Sequence, residues 1–200
     1  ENYGVHAQET LHLFEGNTLV LGLDVDCITA DARDVRPDVG TIENTAEQTF
    51  RKVAPYALVS HTIETDWGTV TPSAGIRFTG SRHFDNEASY QAGIVAERGA
   101  TQLYATAAHA LNYPGMYAVM FYENYPPFQP PDGWRDLNPE TMDHWEIGVT
   151  QRIGDVLTLD ISAYHAEVED AFRVVFPDWV KVGGYTSEGA EASLRFTPRN

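Results

Sequence analysis

Long stretches of alternating apolar and polar residues constrain this chain more than any other feature of its sequence. Residues 144–152 place large apolar side chains on one parity and polar ones on the other: Trp145, Ile147 and Val149 against His144, Glu146, Thr150 and Arg152. Successive side chains of a β-strand point to opposite faces, so this pattern predicts a strand with one apolar face. The alternation resumes over residues 157–164 after Gly154 and Asp155, which predicts a hairpin.

Similar stretches elsewhere bring the prediction to about nine strands, and the chain is expected to be all-β. The further candidates lie at about residues 9–14, 18–29, 51–64, 69–80, 88–98, 101–111 and 186–196. Most exceed the length of roughly 5 to 6 residues that is common in soluble proteins. They match the roughly 9 to 11 residues or more that a tilted strand needs to cross a bilayer.

The predicted connections alternate strictly between tight turns and long loops. Tight turns fall at Glu15-Gly16-Asn17, Asp66-Trp67-Gly68, Arg98-Gly99-Ala100 and Gly154-Asp155, and longer loops at about residues 30–49, 81–87, 112–141 and 173–185. In an up-and-down antiparallel meander, every second connection lies at the same end. We therefore expect a segment of a transmembrane β-barrel, because bacterial outer-membrane barrels have short periplasmic turns and long extracellular loops.

Charge and composition exclude several other classes of protein. The chain has 29 acidic and 13 basic residues, so its net charge of −16 repels phosphate backbones and argues against a nucleic-acid partner. It has no apolar run near the roughly 20 residues that a membrane helix needs. The single cysteine, Cys27, cannot form an internal disulfide, and no Cys/His spacing suggests a zinc site.

Four fragments in a fixed order resemble the TonB-dependent outer-membrane receptors, over roughly residues 51–196. Gly75-Ile76-Arg77-Phe78 resembles a Gly-Leu-Arg-Tyr-like step of the family, and Tyr113-Pro114-Gly115 resembles an aromatic-Pro element. Leu137-Asn138-Pro139-Glu140, followed by Trp145-Glu146-Ile147-Gly148-Val149, resembles Leu-x-Pro-Glu followed by aromatic-Glu-Leu-Gly-Leu. Gly189-Ala190-Glu191 resembles a small-Gly-x-Glu strand start. We assign the motif positions Gly75, Arg77, Pro114, Pro139, Glu140, Glu146, Gly148, Gly189 and Glu191 structural roles.

The resemblance implies a receptor that takes up a scarce nutrient, with an iron–siderophore-type chelate as the expected substrate and vitamin B12 or a saccharide as other options. It also implies an outer-membrane location, contact with lipid, and a TonB-type energy-coupling protein as partner through an N-terminal region. Residues 1–200 are expected to be one partial barrel domain, with the plug and the terminal strands of the family not present. Neither an enzymatic activity nor a cofactor is expected.

The loop at residues 112–140 is the candidate ligand-binding segment, because it combines many aromatic residues with few charges. Aromatic rings bury much area at a low entropy cost and suit a flat or amphipathic ligand. The expected contacts are Tyr113, Tyr117, Tyr122, Phe128 and Trp134. The alternative is that these rings form an aromatic belt or a packed loop.

Several histidines and a pair of aspartates are of a type that can bind a metal ion. They are His61, His83, His109, His144, His165, Asp24 and Asp26. They are spread over different predicted strands without ligand-like spacing, so polar inward-facing or rim positions are expected instead of a metal site. Ser60-His61 near Asp66 is not surrounded by a nucleophile motif, so no catalytic residue is expected.

Two other classes of protein remain open on the sequence alone. A passive outer-membrane channel, or a barrel with enzymatic loops, would share the strand lengths and the loop asymmetry. A soluble acidic all-β binding module would need shorter strands whose apolar residues face a shared interior.

Overall fold

Antiparallel β-strands make up almost all of the part of the chain that the computed structural model describes, which is residues 1–33, 45–82, 84–115, 133–175 and 178–198. The strands are β1 (Asn2–Leu11), β2 (Asn17–Arg33), β3 (Thr45–His61), β4 (Ile63–Thr65), β5 (Gly68–Ser81), β6 (Glu87–Arg98), β7 (Thr101–Asn112), β8 (Glu140–Ile153), β9 (Leu157–Val175) and β10 (Asp178–Phe196). A short 3₁₀ helix spans Gly133–Asp136. Within these ranges, none of the helical structure has the length and apolarity needed to cross a membrane.

All ten strands belong to one sheet, in the order β1-β2-β3-β5-β6-β7-β8-β9-β10 with β4 paired to β5. Every pairing is antiparallel, which confirms the predicted meander of nine long strands. The short strand β4 continues the register of β3 along β5, because Ser60 pairs with Ser73 and Ile63 pairs with Val70. β3 and β4 therefore act as one strand that is interrupted at Thr62.

Tight turns lie at one end of the sheet, which we call the tight-turn rim, and the other end is the long-connection rim. Three glycines at the tight turns have left-handed backbone conformations: Gly16 (φ 73°), Gly99 (φ 59°) and Gly154 (φ 60°). Residues other than glycine rarely adopt this conformation, so glycine at these positions fixes the turns. The turns predicted from the sequence at this rim are confirmed.

Strand lengths differ from the prediction at the long-connection rim. The loops predicted at residues 30–49 and 173–185 are wrong in extent, because β2 continues to Arg33, β3 begins at Thr45, and β9 and β10 approach each other to Val175 and Asp178. The first strand, predicted at residues 9–14, instead spans Asn2–Leu11. The pairing of β2 with β3 continues to Arg33 and Thr45, and that of β9 with β10 continues to Val175 and Asp178, so both ladders extend past the predicted strand ends.

The sheet has one apolar face and one polar face. Cross-strand register places large, exposed aliphatic side chains together on the apolar face: Leu21, Leu23, Val25, Val53, Val59, Ile76, Ile94, Leu103, Ile147, Ile161 and Leu194. The polar face carries the alternate residues of the same strands, such as Asp24, Arg77 and Glu146. An exposed apolar surface of this extent is costly in water and favourable in lipid.

Candidate functional site

On the polar face, tyrosine rings lie over glycines of the neighbouring strand. Tyr56 faces Gly22, Tyr104 faces Gly148, and Tyr164 faces Gly189, each as a direct cross-strand pair. A Cβ atom on any of these three glycines would come too close to ring atoms of its tyrosine, for example 2.9 Å from Tyr164 Oη at Gly189. The glycines therefore make room for the rings, which cover the backbone of the adjacent strand.

The ring over Gly148 belongs to a hydrogen-bonded group near the tight-turn rim. Tyr104 Oη donates to Glu146 Oε1 at 2.6 Å, and His144 Nε2 lies 3.6 Å from Glu146 Oε2. One strand further, Thr150 Oγ1 donates to Asp160 Oδ1 at 2.7 Å. These hydrogen bonds from hydroxyl groups stabilise the negative charges of the carboxylates on the polar face.

A second polar group crosses β1, β2, β3 and β5. Asp24 is contacted by His6 Nδ1 at 2.8 Å and by Arg77 Nη1 at 2.5 Å. The Arg77 guanidinium carbon lies 5.5 Å from the centre of the Tyr56 ring, and Tyr56 Oη donates to Gln8 Oε1 at 3.0 Å. The motif residue Arg77 is thus fixed by a carboxylate on one side and by an aromatic face on the other.

An aromatic cluster lies at the long-connection rim and contains two of the residues predicted to contact a ligand. Phe50, Phe84, Tyr113, Trp134 and Leu137 pack together and are buried. The side chain of Trp134 is fully buried and Tyr113 is 9% exposed. This rim cluster therefore joins both ends of the connection between β7 and β8 to the ends of neighbouring strands. A role of Tyr113 and Trp134 in ligand contact stays a prediction.

Burial also changes the chemistry of Tyr113. Its hydroxyl donates weakly to the backbone carbonyls of Thr79 and Asp85, both at 3.4 Å, and Lys52 Nζ lies 4.8 Å from the ring centre. Desolvation, with a smaller contribution from the negative charge of Glu87, raises the pKa of the Tyr113 phenol above its ordinary value.

The other positions predicted from the sequence either lie outside the described residues or take structural places in the wall. Tyr117, Tyr122, Phe128 and His83 lie outside the described residues. Pro114 and Pro139 are buried beside the rim cluster residues that adjoin them in sequence, and β8 begins at Glu140 as predicted. Gly75, Arg77, Glu146, Gly148, Gly189 and Glu191 all lie on the polar face.

Three histidines of the candidate metal set, His109, His144 and His165, each lie beside a single carboxylate, whereas the His61 ring packs against the ring of Phe14. His109 Nδ1 lies 2.8 Å from Asp143, and His165 Nδ1 lies 3.6 Å from Glu188. Throughout the described ranges, no group of three or more His, Cys, Asp or Glu side chains is arranged to hold a metal ion.

Sequence reasoning missed His6 and the tyrosine–glycine pairs. The sequence alone does not show these pairs, because they can be identified only when the register that places each tyrosine opposite its glycine is known. That register depends on the length of each tight turn.

An antiparallel meander of strands of 10 to 19 residues, apolar on one face and polar on the other, defines a wall segment of an outer-membrane β-barrel. The family model described as TonB dependent receptor-like, beta-barrel matches residues 1–198. The chain belongs to this family, which confirms the resemblance seen in its motifs, and it lies in the outer membrane. Proteins of the family are transporters and not enzymes, as expected from the sequence.

Solved structures of the same fold include two receptors and a transporter. The siderophore receptor PirA from Pseudomonas aeruginosa has a TM-score of 0.71 at 19% identity, covering 96% of this chain and 36% of that one. The ferric enterobactin receptor PfeA from the same organism has a TM-score of 0.76 at 16% identity, covering 96% and 33%. The copper transporter OprC has a TM-score of 0.68 at 14% identity, covering 99% and 35%.

At these identities the likeness concerns the fold. The chain spans about a third of the length of each of these solved structures. Among curated proteins, no sequence matches this chain.

Proposed function

We propose that this chain forms part of the wall of an outer-membrane receptor that takes up a scarce nutrient, with an iron–siderophore-type chelate as substrate. The observation that carries the proposal is the two-faced wall, in which exposed aliphatic residues suit lipid while the opposite face carries hydrogen-bonded charges. Such a polar inner face suits a lumen through which a hydrophilic solute passes.

We assign residues 1–200 to one partial barrel domain, completed by strands and a plug from the rest of the protein. The solved structures of this fold are about three times as long as the chain, which supports this assignment. A sheet edge within lipid would leave backbone groups without partners, so β1 and β10 need neighbouring strands to be stable in a membrane. Energy would come from a TonB-type protein acting through the N-terminal region of the complete receptor.

We orient the barrel with its tight-turn rim in the periplasm and its long-connection rim outside the cell, as is general for bacterial outer-membrane barrels. The connection between β7 and β8 then lies on the extracellular side. Tyr117, Tyr122 and Phe128 are the proposed ligand contacts in it, while Tyr113 and Trp134 hold its two ends in the rim cluster.

A metal chelate is supported by the three similar structures, which are a siderophore receptor, a ferric enterobactin receptor and a copper transporter. The test is uptake of radioactive iron by a Gram-negative host that lacks its own iron receptors and expresses the complete protein. Catecholate, hydroxamate and carboxylate iron chelates are compared with a copper salt, each with and without the TonB-type protein. Uptake of an iron chelate that requires the TonB-type protein is the expected result.

Other results of this assay would contradict specific parts of the proposal. Energy-dependent uptake of copper alone would show that the substrate is a copper ion and not an iron chelate. Flux of small solutes that persists without the TonB-type protein would indicate a passive channel.

Orientation is tested separately by protease treatment of intact cells. Cleavage within residues 113–139, with the turn at Asp66-Trp67 protected, is expected. The reverse pattern would invert the barrel.

A further inference from the structure

We propose that the polar wall contains a subsite for a carboxylate group of the transported solute, centred on Arg77; this inference rests on the proposed uptake function. A cavity of about 470 Å³ opens on the polar face between β3, β5 and β6, and its polar lining includes Gln8, Tyr56, Arg77, Ser89 and Gln91. That volume is within the range of roughly 300 to 1,000 Å³ of pockets that hold small organic ligands.

We call this cavity the wall subsite, and its lining includes the small residues Gly75 and Ala108. Gly75 stands between Leu58 and Gln91 in the register, and Ala108 stands opposite Gln91 on the next strand. A Cβ on Gly75 would come 3.0 Å from Leu58 Cδ1 and 3.4 Å from Gln91 Cγ, so a side chain there would crowd the site. The depth of the cavity therefore depends on the glycine of the Gly-Ile-Arg-Phe fragment.

Arg77 can bind a second carboxylate without losing its first. Its ion pair with Asp24 engages one Nη atom, whereas a guanidinium has five N–H donors. The Asp24 side chain is 11% exposed and the Arg77 side chain is 39% exposed, so the wall hides the carboxylate and presents the guanidinium. A planar guanidinium fork matches the geometry of a carboxylate.

The charges around the subsite are balanced, unlike those of the chain as a whole, whose net charge is −16. Asp24 is paired with Arg77 and His6, and Asp26 stands opposite Lys52 in the register and 3.9 Å from His6 Nε2. The two carboxylates are thus offset by two cations, and protonation of His6 would add positive charge. An anionic solute meets no net repulsion here, and the amides of Gln8 and Gln91 supply further donors.

The solute class that fits is a small molecule bearing free carboxylates, such as a hydroxycarboxylate metal chelate. An apolar ligand would cover the exposed N–H groups of Arg77 without giving them a partner, which costs free energy. A cationic ligand is disfavoured because the guanidinium is the exposed charge in the lining. Recognition by Arg77 therefore selects, among metal chelates, those that keep a carboxylate free.

The test places a cysteine beside Arg77 in the full-length receptor, in a background without other reactive cysteines. Ser89→Cys is nearly isosteric and stands directly opposite Arg77 in the register. Ser73→Cys is the matched control, on the same face of β5 but four residues from Arg77, or roughly 13 Å along the strand. Labelling rates are measured with a negatively charged and a positively charged methanethiosulfonate reagent.

The ratio of anionic to cationic labelling in Ser89→Cys is expected to exceed that in Ser73→Cys roughly three- to tenfold, because a unit charge at about 5 Å attracts even in water. Adding Arg77→Gln should reduce the ratio to the control value, and adding Arg77→Lys should keep much of it. Citrate should slow labelling of the thiol at position 89 and not of the thiol at position 73, whereas glycerol should slow neither. Folding of each variant is checked by resistance of the barrel to unfolding in cold detergent.

Equal ratios at the two positions, or absence of citrate protection, would overturn the subsite. A thiol at position 89 that neither reagent reaches would also overturn it, because the cavity would then be filled by the rest of the receptor. Labelling requires no transport, so failure of iron uptake would count against the proposed function without deciding this result.

Discussion

Replacing Gly148 by alanine should destabilise the barrel wall, although alanine usually favours a strand over glycine by about 0.5 to 1 kcal/mol. A Cβ at this position would lie 2.5 Å from both Cε1 and Oη of Tyr104, which is far inside van der Waals contact. The ring would have to swing away from the wall. Its hydrogen bond to Glu146 at 2.6 Å would then be lost together with the cross-strand packing.

The expected cost follows from these two losses. A hydrogen bond to a charged group contributes about 1.5 kcal/mol at the lower end of its range, which suits a partly exposed pair. A cross-strand aromatic contact contributes up to about 1 kcal/mol. After subtracting the backbone benefit of alanine, Gly148→Ala should lower the free energy of unfolding by up to about 2 kcal/mol.

Gly80→Ala is the matched control, because Gly80 also lies in a strand and its added Cβ would be 3.4 Å from Asn86 Oδ1, an ordinary contact. The free energy of unfolding is measured on the full-length protein in detergent micelles by denaturant titration and tryptophan fluorescence. In a Tyr104→Ala background, Gly148→Ala should cost almost nothing, since the clashing ring is gone. Equal stabilities of Gly148→Ala and Gly80→Ala would refute this account of the tyrosine–glycine pairs.

Three further predictions concern the rim cluster and the two faces. Trp134→Ala should lower the free energy of unfolding by about 3 to 5 kcal/mol and speed proteolysis of the connection after β7. Trp67→Ala, at an exposed position, should do neither. Ile147→Lys on the apolar face should cost up to about 2 to 4 kcal/mol and reduce the yield of folded barrel, while Gln91→Lys on the polar face should be tolerated. Burial raises the pKa of the Tyr113 phenol in the folded protein. The stability that the neutral phenol contributes is therefore complete below the ordinary tyrosine pKa and is lost as the pH rises through the higher pKa of the folded state. Tyr113→Phe should abolish this loss of stability at alkaline pH, measured as the rate of proteolysis against pH.

The sequence predicted the strands best where lipid imposes a period of two. Trp145, Ile147 and Val149 show this, because apolar side chains on one face and polar ones on the other identify both the strand and its orientation. Beyond the predicted strand ends, the pairing of β9 with β10 continues to Val175 and Asp178, with shifts of register between Lys181 and Tyr185. Pro177, Gly183 and Gly184 interrupt the alternation in this part of the sequence, so the pattern predicts a loop there.

The inner surface was harder to predict because it depends on pairs of strands. Arg77 was identified through a motif, but its partner Asp24 lies more than fifty residues earlier and becomes a neighbour only through the register of β2, β3 and β5. Trp134 shows the same difficulty at the rim. An aromatic residue in a polar connection predicts equally an exposed contact and a buried anchor, and its burial depends on Phe50 and Phe84.

The rim cluster makes the segment it brackets replaceable. Tyr113 on one side and Trp134 with Leu137 on the other are packed against the ends of other strands, so the barrel fixes where this segment leaves and where it returns. Substitutions between those anchors can then change ligand recognition without altering the packing of the anchors themselves. The same bracket marks the place where a foreign epitope or a binding peptide could be grafted for display on the cell surface.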